Sequence, residues 1–189
     1  MSKFLSVISL SVLVILTVGC SDDESKSEHK GLTGYVIEAN YEKNALLVVE
    51  SDKTAKDGNY DAEWYSLNDD AILLDSQKNK VLFTDIAVGA EVETWSTLPS
   101  LQSYPSQTDL SKLILADDVK HPNYPMVQKK AIQIALNFVK SLSGKPDILI
   151  VQSVVSNKSE WIIHIYNFNA EKKYELSVNA ETGEVKQIK

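Results

Sequence analysis

The strongest constraint on the fold is a series of short apolar segments that lie between Thr33 and Ala116 and are separated by polar turns. The segments read TGYVIEAN, ALLVVE, EWYSL, AILLD, VLF and EVETWS. None is long enough for a helix of ordinary length, and no helical spacing of apolar residues interrupts them. Many short strands with turns between them predict a small all-β barrel or sandwich.

Several local features of this region can be assigned. Tyr41–Asn44 predicts a hairpin turn, and Asp69–Asp70 predicts a turn between two further strands. Val81–Phe83 is expected to form a short strand, and the last strand is expected at Lys112–Ala116. Gly89 precedes the EVETWS segment, at a place where small Greek-key barrels turn a corner. The region is therefore similar in shape to an OB-like barrel, a likeness that implies no ligand.

The chain after residue 124 has a different pattern. Apolar residues from Val127 to Leu142 recur along one helical face, and Gly144 follows the last of them. Four strands are then expected, at Asp147–Ser156, Glu160–Phe168, Lys173–Asn179 and Glu184–Ile188. The whole chain is thus predicted to be α+β, a barrel followed by a helix with an antiparallel sheet. Three tryptophans fall in predicted strands and are expected in the core, namely Trp64, Trp95 and Trp161.

Two resemblances cover most of the folded part. GYVIEAN, VGAEVETW and LQSYPSQ resemble a family of uncharacterised small β domains carried by lipoproteins of Gram-positive, spore-forming bacteria, over residues 31–118. The YELSVNAETG turn, after WIIHIY and the helix, resembles the PepSY domain of protease propeptides and envelope proteins, over residues 125–189. The first resemblance implies no established activity, whereas the second implies modulation of an extracellular protease. Residues 119–124 then read as a linker between two domains.

The SYPSQ turn is the predicted contact site for a partner. An exposed aromatic residue before a rigid proline suits contact with another protein, and the residues concerned are Ser103, Tyr104, Pro105 and Gln107. The alternative is that Tyr104 packs on the end of the barrel while Pro105 fixes the turn before the last strand.

The beginning of the chain indicates where the protein is located. Residues 1–19 have a short basic leader, an apolar middle and a small residue at the exit, which is typical of a secretory signal peptide. The stretch LTVGC resembles the bacterial lipobox, and it contains Cys20, the only cysteine. The resemblance implies cleavage after Gly19 and acylation of Cys20 with S-diacylglycerol and an N-acyl chain such as palmitate. Residues 21–30 contain no apolar residue, so residues 20–30 are expected to be the lipidated cysteine followed by a flexible polar tether.

Composition and motifs limit the classes of function that the sequence suggests. The formal net charge is −7 and all 19 basic residues are lysine, which argues against nucleic acid as a partner. The three histidines are scattered, and His164 is expected half-exposed on the strand face opposite Trp161, Ile163 and Ile165. We find no metal-ligand, cofactor or nucleophile motif in the sequence.

These observations favour two hypotheses over a third, an enzyme whose residues converge from both domains, such as His121 with Asp117 and Tyr104. The first is a non-enzymatic protein, held by lipid on the extracytoplasmic face of the cell membrane, that contacts an envelope or secreted protein. The alternative is a surface lipoprotein that binds a small ligand or a metal through the barrel mouth and the acidic turns.

The lipid anchor can be tested by replacing Cys20 with Ala. Because two acyl chains anchor a protein stably and none remains in the variant, we expect release from the membrane fraction or an uncleaved precursor. Intact-mass analysis and membrane fractionation measure both outcomes, with Ser21→Ala as the control. Normal cleavage together with unchanged membrane attachment in the Cys20 variant would refute the anchor.

Overall fold

A computed structural model describes residues 27–51, 54–55, 59–143 and 147–188. The predicted signal peptide and Cys20 lie outside the described residues. The elements are β1 (His29–Asn40), β2 (Ala45–Glu50), β3 (Ala62–Asp75), β4 (Glu91–Ser96), β5 (Ser106–Leu115), α1 (Gln128–Ser143), β6 (Leu149–Asn157), β7 (Glu160–Asn167), β8 (Lys172–Asn179) and β9 (Val185–Gln187). Within these described ranges, no helix has the length and apolar character required to span a membrane.

The first five strands form a closed barrel in the order β1-β2-β3-β5-β4. Neighbouring strands are antiparallel except β3 and β5, which run parallel, and β1 closes the barrel by pairing with β4. The interior is filled by alternate side chains of each strand, including Val36, Val48, Tyr65, Val92 and Leu110. The prediction of a small barrel is confirmed, as is the hairpin turn at Tyr41–Asn44 between β1 and β2.

Two local predictions in the barrel are wrong. Asp69–Asp70 is not a turn, because β3 continues through it and pairs with β5 on both sides of an irregularity between Leu67 and Ile72. Such an irregularity bends a strand without ending it, and both aspartates remain exposed to water. Val81–Phe83 is not a strand but leads into a single 3₁₀ turn, where the Asp85 carboxylate accepts a hydrogen bond from Leu82 N at 2.9 Å.

The ends of two barrel strands also differ from expectation. β5 begins at Ser106 rather than Lys112, because its first residues pair with the start of β3. β1 begins at His29, inside the predicted tether, because His29 and Lys30 pair with Ser96 and Trp95 of β4. Both extensions depend on pairing between distant segments, which local patterns do not reveal.

The second sheet is antiparallel, in the order β6-β7-β8-β9, and α1 packs on one of its faces. The helix covers nearly the predicted range. The four strands lie close to the positions that the sequence pattern predicted. The apolar face of α1 is fully buried at Ala131, Ile132, Ala135, Leu136 and Val139. With one helix among the described residues, this part of the chain is mostly β.

Contrary to expectation, not all three tryptophans lie in the core. Trp161 is buried, and Trp64 is half-buried against the same core. Trp95 instead lies on the outer side of the barrel, with Lys112 Nζ 4.3 Å and Lys30 Nζ 5.6 Å from its ring centroid. Because Thr94 and Ser96 point inward, the alternation of β4 leaves Trp95 outside.

The barrel and the second sheet share one apolar core. Outward-facing side chains of β1 and β2, among them Ile37 and Leu47, belong to the same buried cluster as α1 and the second sheet. Lys140 Nζ of α1 donates a hydrogen bond to Ile37 O at 2.9 Å. Burial, with a smaller contribution from Glu91, raises the pKa of Tyr35 to about 12, consistent with a β1 face covered by protein.

The segment expected to be a linker, 119–124, is packed against this core. His121 is buried, with its ring 5.4 Å from that of Trp161 and 5.2 Å from that of Tyr124. Asn123 N donates a hydrogen bond to His121 Nδ1 at 3.2 Å. The connection between β5 and α1 is therefore part of the folded structure.

Gly89 tests the contact between the barrel and α1. Its φ is +90°, and a Cβ there would lie 2.4 Å from Lys129 O of the helix. We expect Gly89→Ala to lower the free energy of unfolding by about 2 kcal/mol or more, measured by urea denaturation. Gly183→Ala is the control, since Gly183 has a φ of +78° but its Cβ would meet only side-chain atoms, the nearest at 3.3 Å. Equal losses in the two variants would contradict a specific close approach of α1.

Candidate functional site

The predicted contact residues lie on the loop that joins β4 to β5 at one end of the barrel, residues 97–105, here called the β4–β5 loop. Ser103 Oγ donates a hydrogen bond to Pro105 O at 2.8 Å, and the Tyr104–Pro105 peptide is cis. Gln107, the second residue of β5, accepts a hydrogen bond at its carbonyl from Leu101 N at 2.8 Å. The structure thus keeps the four predicted residues together in one folded turn.

Tyr104 connects this loop to the second sheet. Its ring centroid lies 4.9 Å from that of Phe168, which follows β7, and its hydroxyl donates to Tyr60 O at 3.0 Å. Burial raises the pKa of Tyr104, and the charge of Asp61 raises it further. Packing within the chain was the alternative interpretation of Tyr104, but the ring packs on the second sheet instead of on the barrel end. Tyr104 and Phe168 remain 44% and 45% exposed, so they also present an aromatic surface to solvent.

Asp109 holds the beginning of the loop. This carboxylate is only 6% exposed. It accepts hydrogen bonds from Thr97 Oγ1 at 2.7 Å, Leu98 N at 2.8 Å and Asn68 Nδ2 at 2.6 Å. Burial by itself raises the pKa of Asp109, but these hydrogen bonds, led by that of the Thr97 side chain, outweigh it and leave the pKa below its usual value. The backbone at Thr97 and Leu98 is therefore fixed to the barrel wall.

Glu63 holds the end of the loop from inside the barrel. It is 4% exposed and accepts hydrogen bonds from Ser106 Oγ at 3.1 Å and from Ser100 Oγ. Tyr65 lies beside it on β3, and its hydroxyl accepts a hydrogen bond from Leu32 N at 2.9 Å. Burial and then the neighbouring Glu63 raise the pKa of the Tyr65 hydroxyl well above its usual value. Two buried carboxylates thus anchor one exposed loop.

A groove of about 370 Å³ lies between this loop and the adjacent wall of β3 and β5. Its apolar lining comes from Leu67, Leu98, Pro99 and Leu101, and Gln107 contributes to its polar lining. Leu98 and Leu101 are 56% and 62% exposed. Apolar side chains held in water on a fixed loop are typical of a surface that contacts another protein.

A second depression, of about 450 Å³, lies on the second sheet and is lined by residues that include His164, Lys173 and Glu175. His164 lies on the strand face opposite Trp161, Ile163 and Ile165, as predicted, and its side chain is 43% exposed. Ser153 on β6 and Glu175 on β8 lie next to His164 in the sheet. The sequence did not predict these neighbours, because only the register of the strands brings them together.

The acidic residues of the predicted turn at Asp69–Asp70 lie on the surface of the barrel. Asp69 and Asp70 line a groove of about 400 Å³ together with Glu28. Among the residues that the structure describes, however, no three His, Cys, Asp or Glu side chains are arranged to hold a metal ion.

The fold therefore defines a class of protein, a small closed β-barrel joined through one core to a helix-covered antiparallel sheet. Residues 33–114 match the model of a family described as "Protein of unknown function (DUF3221)". The matched region includes nearly all of the barrel and all four predicted contact residues, and it agrees with the expected uncharacterised β domain. Searches of curated proteins and of solved structures returned no match. The lipobox and PepSY resemblances stay predictions.

The role of Asp109 predicts a pH-dependent stability. Its pKa in the folded state lies below the unfolded value of about 3.9, so its stabilising contribution is complete above that pH and is lost as the pH falls through the folded pKa. We expect Asp109→Asn to lower the free energy of unfolding by about 2 kcal/mol at pH 7. The difference from the parent protein should shrink at pH 3, as measured by urea denaturation.

The exposed Asp70 provides the control for this experiment. Asp70→Asn should change the free energy of unfolding by no more than about 0.5 kcal/mol at pH 7. A difference between Asp109→Asn and the parent protein that stays constant from pH 7 to pH 3 would show that the charge of Asp109 is unimportant.

Proposed function

We propose that this chain is a lipid-anchored protein on the extracytoplasmic face of the cell membrane and that it acts by contacting an envelope or secreted protein, without catalysing a reaction. The observation that carries the proposal is the pair of exposed leucines, Leu98 and Leu101, on a loop fixed by buried Asp109 and Glu63.

Rigidity is the reason why this loop suits recognition. A mobile loop loses conformational entropy when a partner binds, whereas a loop that is already ordered loses little. The Asp109 carboxylate satisfies the backbone N–H groups of Thr97 and Leu98, so the leucines keep their positions without a partner. The adjacent aromatic pair, Tyr104 and Phe168, extends the apolar surface and belongs to the residue types enriched in interfaces.

The proposed anchor limits where this contact takes place. Cys20 is nine residues before His29, where β1 begins. A flexible segment of that length has a typical end-to-end distance of roughly 17 Å. The partner is therefore expected close to the membrane surface.

The second sheet supports a more specific form of the proposal, modulation of a protease. The PepSY-like turn after β8 is ordered by Asn179, whose side-chain oxygen accepts hydrogen bonds from Glu181 N at 3.0 Å and Thr182 N at 2.8 Å. Gly183 ends the turn with a φ of +78°. The proposed link to extracellular proteases follows from the PepSY resemblance of the sequence, and the structural observations offered for it are this turn and one helix on a four-stranded antiparallel sheet.

Site-specific photocrosslinking on intact cells tests the proposed contact. A photoreactive amino acid at Leu101 should capture one envelope or secreted protein, whereas the same probe at Leu82 should not. Leu82 is the matched control because it is also a highly exposed leucine, 68% against 62%, but it lies in the β3–β4 connection at the other end of the barrel.

Binding of the captured protein should then be measured with purified components. We expect Leu101→Asp to weaken its affinity at least tenfold, because a carboxylate replaces an apolar side chain in the contact. Identical capture from both positions, or unchanged affinity in the Leu101 variant, would eliminate this surface as the contact site.

A further inference from the structure

A row of polar side chains crosses the second sheet on the face away from α1. In the β6–β7 register His164 lies opposite Ser153, and in the β7–β8 register it lies opposite Glu175. Ser153 Oγ lies 2.6 Å from His164 Nδ1, which is a short hydrogen bond. His164 Nε2 lies 3.7 Å from Glu175 Oε1, beyond hydrogen-bond distance. One ring nitrogen is therefore fixed by Ser153, while the other faces Glu175 without a close bond to it.

Lys173 adds the opposite charge to this face. It lies two residues before Glu175 on β8, so the two side chains leave the same side of the strand about 7 Å apart along the backbone. Lys173 is exposed, and among the ion pairs of the described residues Glu175 is paired with His164 and not with Lys173. A separated cation and anion thus stand on one surface, with the His164 imidazole beside the anion.

These groups line a depression instead of a flat surface. Its volume is about 450 Å³, and its lining comprises Gln152, His164, Lys173, Tyr174 and Glu175. This volume falls within the range of small-molecule sites, roughly 300–1,000 Å³. Gln152 Nε2 donates a hydrogen bond to Tyr60 Oη at 3.1 Å, so one wall is fixed to the barrel side of the molecule.

We propose that this depression binds a small zwitterion of the α-amino-acid class, either a free amino acid or a short peptide with both termini charged. The ligand carboxylate pairs with Lys173 and the ligand ammonium pairs with Glu175. When Ser153 donates its hydroxyl proton to His164 Nδ1, His164 Nε2 carries the ring proton and donates it to a ligand oxygen.

The charges determine the ligand class. A simple anion is attracted by Lys173 but repelled by Glu175, and a simple cation meets the reverse arrangement. A ligand with both charges satisfies both groups at once, so neither charge of the protein is left unpaired when the depression is filled. This inference concerns a different surface from the β4–β5 loop and does not depend on the proposed partner contact.

Thermal unfolding of the full chain with three matched sets of probes tests the ligand class. The probes are free amino acids, their N-acetyl derivatives, which keep only the carboxylate, and their methyl esters, which keep only the ammonium. A zwitterion at about 100 times its Kd should raise Tm by about 5–10 °C. Each single-charge derivative should bind at least tenfold more weakly, as measured by calorimetric titration.

Variants of the two charged residues test the assignment of the site. Lys173→Gln and Glu175→Gln should each weaken binding of the zwitterion at least tenfold while leaving Tm without ligand unchanged. Lys172→Gln is the matched control, because Lys172 is the neighbouring lysine on β8 and its side chain leaves the opposite side of the strand from Lys173. Affinity should be unchanged in that variant.

Three results would overturn the inference. They are the absence of any binding by the amino acids at millimolar concentration, equal binding of the single-charge derivatives, and equal affinity in the Lys173, Glu175 and Lys172 variants.

Discussion

The shared apolar core is the constraint on which the rest of the structure depends. β1 and β2 are apolar on both faces, because one face fills the barrel and the other packs against α1 and the second sheet. Burial of each large aliphatic side chain contributes about 1.5–3 kcal/mol, so the outward-facing Ile37, Leu47 and Val49 together form a strong contact. This packing fixes how the barrel and the second sheet lie relative to each other, and both candidate surfaces border their junction.

The apolar core joins the barrel to the second sheet, whereas the buried carboxylates hold the β4–β5 loop in place. Asp109 and Glu63 lie in the barrel wall, and each satisfies donors of the β4–β5 loop. Removal of either carboxylate would leave buried N–H or O–H groups without an acceptor, which is costly. The β4–β5 loop therefore has an apolar outer side and a polar inner side. The hydrogen bonds of the inner side hold the loop in place, so Leu98 and Leu101 stay exposed instead of packing into the core.

Local sequence patterns predicted the elements whose partners lie next to them in the chain. The Tyr41–Asn44 hairpin, the α1 stripe and the alternating strands of the second sheet all have signals within a few residues. Contacts between distant segments were not predictable in this way. The parallel pairing of β3 with β5 converted an apparent Asp69–Asp70 turn into continuous strand, and it moved the start of β5 to Ser106.

In the candidate site, too, local motifs were predictable from the sequence and contacts between distant residues were not. The SYPSQ turn stood out as a motif, but Phe168 and Asp109 did not, because nothing local distinguishes one aromatic or one acid from the others in the chain. Likewise, the histidine of β7 was assigned to the correct face, while its neighbours Ser153 and Glu175 emerged only from strand register. Both proposed surfaces depend on which strands pair, and pairing is the property that a single sequence specifies least directly.

Tyr60 joins the two proposed surfaces physically. Its carbonyl accepts the hydrogen bond of the Tyr104 hydroxyl, and its own hydroxyl accepts the hydrogen bond of Gln152 in the wall of the His164 depression. A ligand that displaces Gln152 therefore acts on the residue that also holds Tyr104. Any resulting coupling must be reciprocal, since a ligand that strengthens partner binding by some factor is itself bound more tightly, by the same factor, once the partner is present. The junction between barrel and sheet is thus the place where the two activities would meet.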